Sequence, residues 1–107
     1  MASTEQNADV RAGDTLTLQF TVTENGVPLD MTGGTLTWTA LFNTPLVKTN
    51  DDMDLTDIAT GIVLLTLEET ETRVPEGSYT HALQLELNST IEHVSIGTIT
   101  VFPELVT

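Results

Sequence analysis

Thr15-Leu16-Thr17-Leu18-Gln19-Phe20-Thr21-Val22-Thr23 decides the reading of this chain. Apolar and polar residues alternate through it without a break, which is the period of a β-strand. Leu16, Leu18, Phe20 and Val22 share one face; the threonines and Gln19 share the other. A strand of this kind has one face in a core and one in water. Glu24-Asn25-Gly26 follows, and Asn-Gly predicts a tight hairpin because both residues tolerate positive φ.

The same alternation recurs downstream. Thr35 to Phe42 places Leu36, Trp38, Ala40 and Phe42 on one face, and Pro45 ends it. Leu46-Val47-Lys48 adds a short strand. Gly61 to Leu67 puts Val63, Leu65 and Leu67 inward and leaves Ile62 and Leu64 on the outer face. Glu68 to Arg73 reads as one helical turn, with acids early and a base late. Ser78 to Leu87 is a long strand with Tyr79, His81, Leu83, Leu85 and Leu87 in one phase.

A turn at Ser89-Thr90 then sets Leu85 opposite Val94, Leu83 opposite Ile96 and His93 opposite Glu86. The inward phase changes afterwards to Ile99 and Val101, which predicts a β-bulge at Gly97.

About seven short strands with turns between them and no long helix predict an all-β, immunoglobulin-like antiparallel β-sandwich. Two details favour that form. Trp38 sits on the strand after the first crossover, and Tyr79 enters a strand just after a corner, as in a tyrosine corner. There is no cysteine, so no disulfide supports the core. Residues 1–12 are polar and aperiodic and read as a flexible N-terminal arm. Residues 13–103 form the sandwich, and 104–107 a short C-terminal tail.

Composition narrows the function. Of 107 residues, 21 are threonine, which suits half-exposed sheet surface. Three basic residues against 16 acids give a net charge of −13. That opposes binding to nucleic acid or to an anionic membrane. The longest apolar run, Ile62 to Leu65, is far short of the roughly 20 residues that span a bilayer. The amino terminus has no basic start and no apolar stretch, so no secretory signal is expected.

Catalytic chemistry finds little support. His81 falls in the core phase, near a strand end, and His93 on a wet face; neither is set beside a nucleophile. Neither a nucleophile elbow nor a phosphate loop occurs. Asp51, Asp52, Asp54 and Asp57 form the one acidic loop that offers hard oxygens for a metal. Their spacing fits no EF-hand, and a solvated loop is the expectation. Asn88-Ser89-Thr90 matches a glycosylation sequon but reads equally as turn chemistry. No cofactor is implied. The outward Ile62 and Leu64, with Phe102, Leu105 and Val106 near the C terminus, are the candidate partner surface.

Taken together, Gly13-Asp14-Thr15-Leu16-Thr17-Leu18, Glu24-Asn25-Gly26-Val27-Pro28-Leu29-Asp30-Met31-Thr32-Gly33 and Thr35-Leu36-Thr37-Trp38-Thr39-Ala40 resemble the immunoglobulin-like domains of tailed-phage structural proteins. The nearest group is the N-terminal domain of siphophage baseplate upper proteins and its stand-alone relatives. Gly61 to Leu67, Pro75-Glu76-Gly77-Ser78-Tyr79 and Gly97 to Val101 fit the same pattern, so the likeness spans residues 13–102. Baseplate upper proteins continue into a coiled coil and a receptor-binding platform; this chain stops, which favours a small stand-alone protein.

The resemblance implies a non-enzymatic virion component, made in the host cytoplasm and present in many copies, with a homo-oligomer among the arrangements. It would be a capsid decoration protein or a tail-, neck- or baseplate-associated subunit. Its partners would be other capsid or tail subunits, reached through the arm and an apolar sheet face. The alternative is a carbohydrate- or cell-surface-binding sandwich module.

Overall fold

The computed structural model describes residues 4, 5 and 7–103. In chain order the strands are β1 (Thr4–Glu5), β2 (Ala8–Arg11), β3 (Leu16–Thr21), β4 (Thr23–Glu24), β5 (Val27–Pro28), β6 (Thr35–Ala40), β7 (Leu46–Thr49), β8 (Met53–Asp54), β9 (Ile62–Leu67), β10 (Gly77–Leu87) and β11 (Thr90–Phe102). They form a wide sheet in the order β1-β11-β10-β6-β7, with β2 also on β11, and a narrow sheet in the order β3-β9-β8. β4 and β5 make a separate hairpin, whose Asn25 (φ 55) and Gly26 (φ 80) supply the expected positive φ pair.

This is the immunoglobulin layout. In that frame strands A, B, E and D share one sheet and C, F and G the other, with C′ beside C in the variable type. β3, β9 and β8 take the places of B, E and D; β11, β10, β6 and β7 those of G, F, C and C′. The alternating residues of both sheets meet between them. Leu18, Phe20, Val63, Leu65 and Leu67 face Leu36, Trp38, Ala40, Leu83, Leu85, Ile99 and Val101, and all are buried.

The first strand departs from the expectation. Residues 8–11, read from sequence as part of a flexible arm, form β2, which pairs in parallel with β11 from Ile99↔Ala8 to Phe102↔Arg11. β1 lies farther along the same edge, also parallel, with Thr4 opposite Ser95. The sandwich is therefore not wholly antiparallel. The cause is backbone pairing: β11 would otherwise present an open row of amides and carbonyls. Ala12 continues the contact, its N–H donating to the Phe102 carbonyl at 2.9 Å. Val10 alone carries a large apolar side chain inward, too little alternation for sequence to register. The tail 104–107 lies outside the described residues.

The second correction concerns register. The hairpin between β10 and β11 turns at Asn88-Ser89, both with positive φ (53 and 66), so Leu87 pairs with Thr90. Leu85 then faces Glu92, and His93 faces Gln84 instead of Glu86. The bulge lies not at Gly97 but at Val94, where the register shifts between Leu83 and Gln84. Leu83 meets Ser95, and Val94 and Ser95 are both buried. The shift turns Ile96 out to solvent and brings Ile99 and Val101 into the core. It also sets Gly97 opposite His81, where the unshifted register would have set Ile96. A residue without a side chain leaves room for the ring beside it.

His81 is the centre of the packing. It is 1% exposed, and its Nδ1 accepts a hydrogen bond from the Trp38 indole N–H at 3.0 Å. Its ring lies 5.9 Å from Trp38 and 6.0 Å from Phe20, which reaches it from the opposite sheet. Nearby, the Tyr79 hydroxyl donates to the Pro75 carbonyl four residues upstream, completing the tyrosine corner. Phe42 packs edge-on against Tyr79 at 5.1 Å.

Polar side chains fix the loops. Thr72, 1% exposed, accepts from the Gly13 N–H (3.1 Å) and donates to the Asp14 carbonyl (2.7 Å). It thereby ties the β2–β3 linker to the turn after β9. That turn, expected as helical, closes with a Glu71 N–H to Glu68 carbonyl bond and makes no helix. Asn50 pins the start of β6, its side-chain oxygen accepting from Leu36 N–H and its amide donating to the Gly34 carbonyl. Lys48 on β7 pairs with Glu71, joining the edge of one sheet to the loop of the other.

Two measurements check this core. His81→Phe keeps an aromatic ring but orphans the indole N–H, and is expected to cost ~1–3 kcal/mol in urea unfolding. His81→Ala, which also leaves a cavity, should cost more, ~3–5 kcal/mol. At Gly61 (φ +78) an added Cβ would sit 2.4 Å from the Val22 carbonyl oxygen, whereas at Gly26 (φ +80) nothing lies within 4 Å. Because the φ is shared, Gly61→Ala should be ~1–3 kcal/mol more destabilising than Gly26→Ala, the difference reporting the clash.

Candidate functional site

The two outer faces of the sandwich are built by the same alternation that fills the core. On the narrow sheet, β3 turns Thr17, Gln19 and Thr21 outward, and β9 turns out Ile62, Leu64 and Thr66. Thr17 and Thr66 sit opposite one another, their hydroxyls 3.2 Å apart. Ile62 and Leu64 are half-buried. Neither β3 nor β9 contains a charged residue. The third strand of the sheet, β8, brings a charge to this face: exposed Asp54 lies opposite Leu64.

The wide sheet presents a different surface. Cross-strand register aligns Ile96, Ala82, Thr39 and Val47 in one row over β11, β10, β6 and β7. Ile96 is 46% exposed and Val47 53%. Sequence reading missed this row, because Ile96 points outward only through the bulge at Val94. Phe102, 43% exposed, lies on this same outer face, opposite Arg11 of β2. Ile62 and Leu64 face away from the opposite sheet, so the structure does not bring them together with Phe102. Leu105 and Val106 lie outside the described residues.

The four aspartates of the acidic loop are exposed and engaged locally. Asp52 accepts from the Thr49 N–H at 3.0 Å and caps the short turn Asn50–Asp52. Asp54 accepts from both the N–H and the hydroxyl of Thr56. The Asp57 backbone carbonyl accepts from Thr60 and Ile62. Among the described residues no group of three or more His, Asp or Glu side chains converges to hold a metal. Asp30 repeats the Asp54 arrangement with Thr32. In both, the threonine hydroxyl first and its N–H second hold the carboxyl below the ordinary carboxylate range.

The histidines are separated. His81 is buried with its Nδ1 taken by Trp38, and His93 is exposed opposite Gln84. The aromatic rings are mostly interior: Trp38 and Phe20 are fully buried, and Phe42 is 6% exposed. No helix is long and apolar enough to cross a membrane, among the described residues.

No family model matches the chain, and no curated protein matches it. Solved structures do. The N-terminal domain of phage TP901-1 ORF48 superposes with a TM-score of 0.60 at 12% identity, over 97% of this chain and 99% of that one. The fold implied by the resemblance to tailed-phage immunoglobulin-like domains is thus the fold found.

The Asp54 turn yields a titration. Thr56→Ala removes the hydroxyl that contributes most to the lowered pKa, and carboxyl NMR shifts should show Asp54 titrating nearer the ordinary value. Because the folded value lies below the unfolded one, the turn's contribution is present above the ordinary range. It is lost as pH falls through the folded value. Thr56→Ala should flatten that acid limb.

Proposed function

We propose that this chain is a non-enzymatic structural subunit of a tailed-phage virion, present in many copies as a capsid decoration protein or as a tail-, neck- or baseplate-associated component. The observation that carries the reading is the match to a phage domain over 97% of this chain and 99% of that one. Strand-and-turn motifs quoted from the sequence support it independently.

Attachment, in this reading, uses apolar surface. The apolar patch of Ile62 and Leu64, bordered by Asp54, is the first contact, and Phe102 with Leu105 and Val106 the second. Ala8–Arg11 takes no part in it, because that segment is built into the domain's own sheet. The net charge of −13 keeps copies apart and repels DNA and other polyanions. Partners are therefore other virion proteins rather than nucleic acid or membrane.

The carbohydrate-binding alternative loses support from the burial of the rings. Sugar platforms present exposed aromatics, and here Trp38, Phe20 and Phe42 are interior.

Mass spectrometry of purified particles should find the chain at a level comparable with other structural subunits. Leu64→Lys should fold with an unchanged melting curve yet be depleted from particles. Absence of the wild-type chain from the particles would refute the assignment.

A further inference from the structure

The exposed apolar side chains gather on one side of the molecule. Six large ones are exposed among the described residues, and five of them, Leu41, Val47, Ile91, Ile96 and Phe102, belong to the outer face of the wide sheet. Cross-strand pairing puts Val47 beside Thr39, Ile96 beside Ala82 and Ile91 beside Glu86. Leu41 continues β6 by the same alternation, its N–H donating to the Thr80 carbonyl at 2.8 Å. Surface of this kind marks a place where another body sits.

Charge is missing from the middle of that face. From Ile96 across β10 and β6 to Val47, the outward residues are alanine, threonine, glutamine and histidine, with no Asp, Glu, Lys or Arg. Lys48 points the other way, to Glu71 in the loop after β9. Charged residues stand only at the margins: Glu86 toward the hairpin tip, Asp9 and Arg11 on the β2 edge. Depletion of charge at the centre, with charge at the rim, is the composition of a protein interface.

The same pattern selects the occupant. A basic partner would be steered to the acidic surface, away from this face. Two bodies of net charge −13 repel, and their contact costs least where neither brings a charge. The central row also matches itself. It is large at both ends, Ile96 and Val47, and small in the middle, Ala82 and Thr39. A two-fold axis parallel to the strands lays Ile96 over the partner's Val47 and Ala82 over the partner's Thr39. Such self-matching is what a two-fold contact requires. Strand and residue spacings make the patch about 20 Å by 25 Å, so two copies bury about 1,000 Å². That is the lower end of specific interfaces and implies a weak, reversible dimer.

We infer that two copies of this chain pack the outer faces of their wide sheets together, centred on the row from Ile96 to Val47. This inference does not rest on the virion reading, since it concerns the isolated chain.

Sedimentation of the purified chain over a wide concentration range tests it. A monomer–dimer equilibrium is expected, tightening as added salt screens the acidic bodies. Ile96→Lys and Val47→Lys, at exposed sites on two different strands, should each raise the dimer Kd about tenfold or more. Each also lowers the net negative charge, which acting alone would favour association. Thr66→Lys makes the same change of charge on the outer face of the narrow sheet and should leave Kd within about twofold. Melting curves confirm that each variant folds. In the wild type, methyl NMR signals of Ile96 and Val47 should shift with concentration while those of Ile62 and Leu64 stay fixed. A chain that remains monomeric up to about 1 mM overturns the inference. So does a dimer indifferent to both wide-sheet lysines, or one weakened equally by Thr66→Lys.

Discussion

The hydrogen bond from the Trp38 indole to His81 is the constraint around which the core is arranged. In immunoglobulin domains a cystine joins strands B and F against the tryptophan of strand C, and its second half lies two residues after the corner tyrosine. In this chain that position is His81, two residues after Tyr79, and Phe20 approaches it from strand B. A covalent bridge is replaced by a cluster of three rings. The replacement has conditions. An Nδ1 that accepts from an indole N–H carries no proton, so the ring is neutral and its proton sits on Nε2. The ring also needs space on the next strand. The bulge at Val94 and the bare Gly97 opposite His81 supply it.

What sequence revealed follows from how local each feature is. The alternation around Leu18, Trp38, Val63 and Leu83 declared its faces because period-two patterning needs only a strand's own residues. Asn25-Gly26 declared its turn for the same reason. The β10–β11 hairpin did not. Asn88, Ser89 and Thr90 are all good turn residues, and a choice one position off moved every partner in the ladder. The phase change along β11 was visible, but its location was not. Placing it required knowing that the imidazole of His81 crowds the neighbouring strand. The parallel pairing of β2 was hidden further, because it joins segments some ninety residues apart through backbone groups common to every residue.

Surface features divide in the same way. Ile62 and Leu64 were legible as outward residues from the phase of β9 alone. The row from Ile96 to Val47 was not, since it needs the bulge on β11 and the pairing of β6 with β7. The acidic loop shows the opposite error of emphasis. Four aspartates within seven residues suggest an ion site, yet turn and cap bonds to Thr49 and Thr56 engage two of them. Thr72 and Asn50, which hold the loops in place, offered no signal beyond being polar.

β11 has a further consequence for biosynthesis. Among the described residues β1 and β2 both pair with it, as does β10, so the N-terminal pairings wait for residues 90–102 to be made. Until that strand leaves the ribosome, the nascent chain holds a narrow sheet without its full partner and a greasy β10 without one neighbour. Closure then brings the two extremes of the domain together in one late step. Non-local β pairing of this sort is slow, on the order of milliseconds to seconds. Acidic self-repulsion is well suited to keeping unfinished chains apart during that interval.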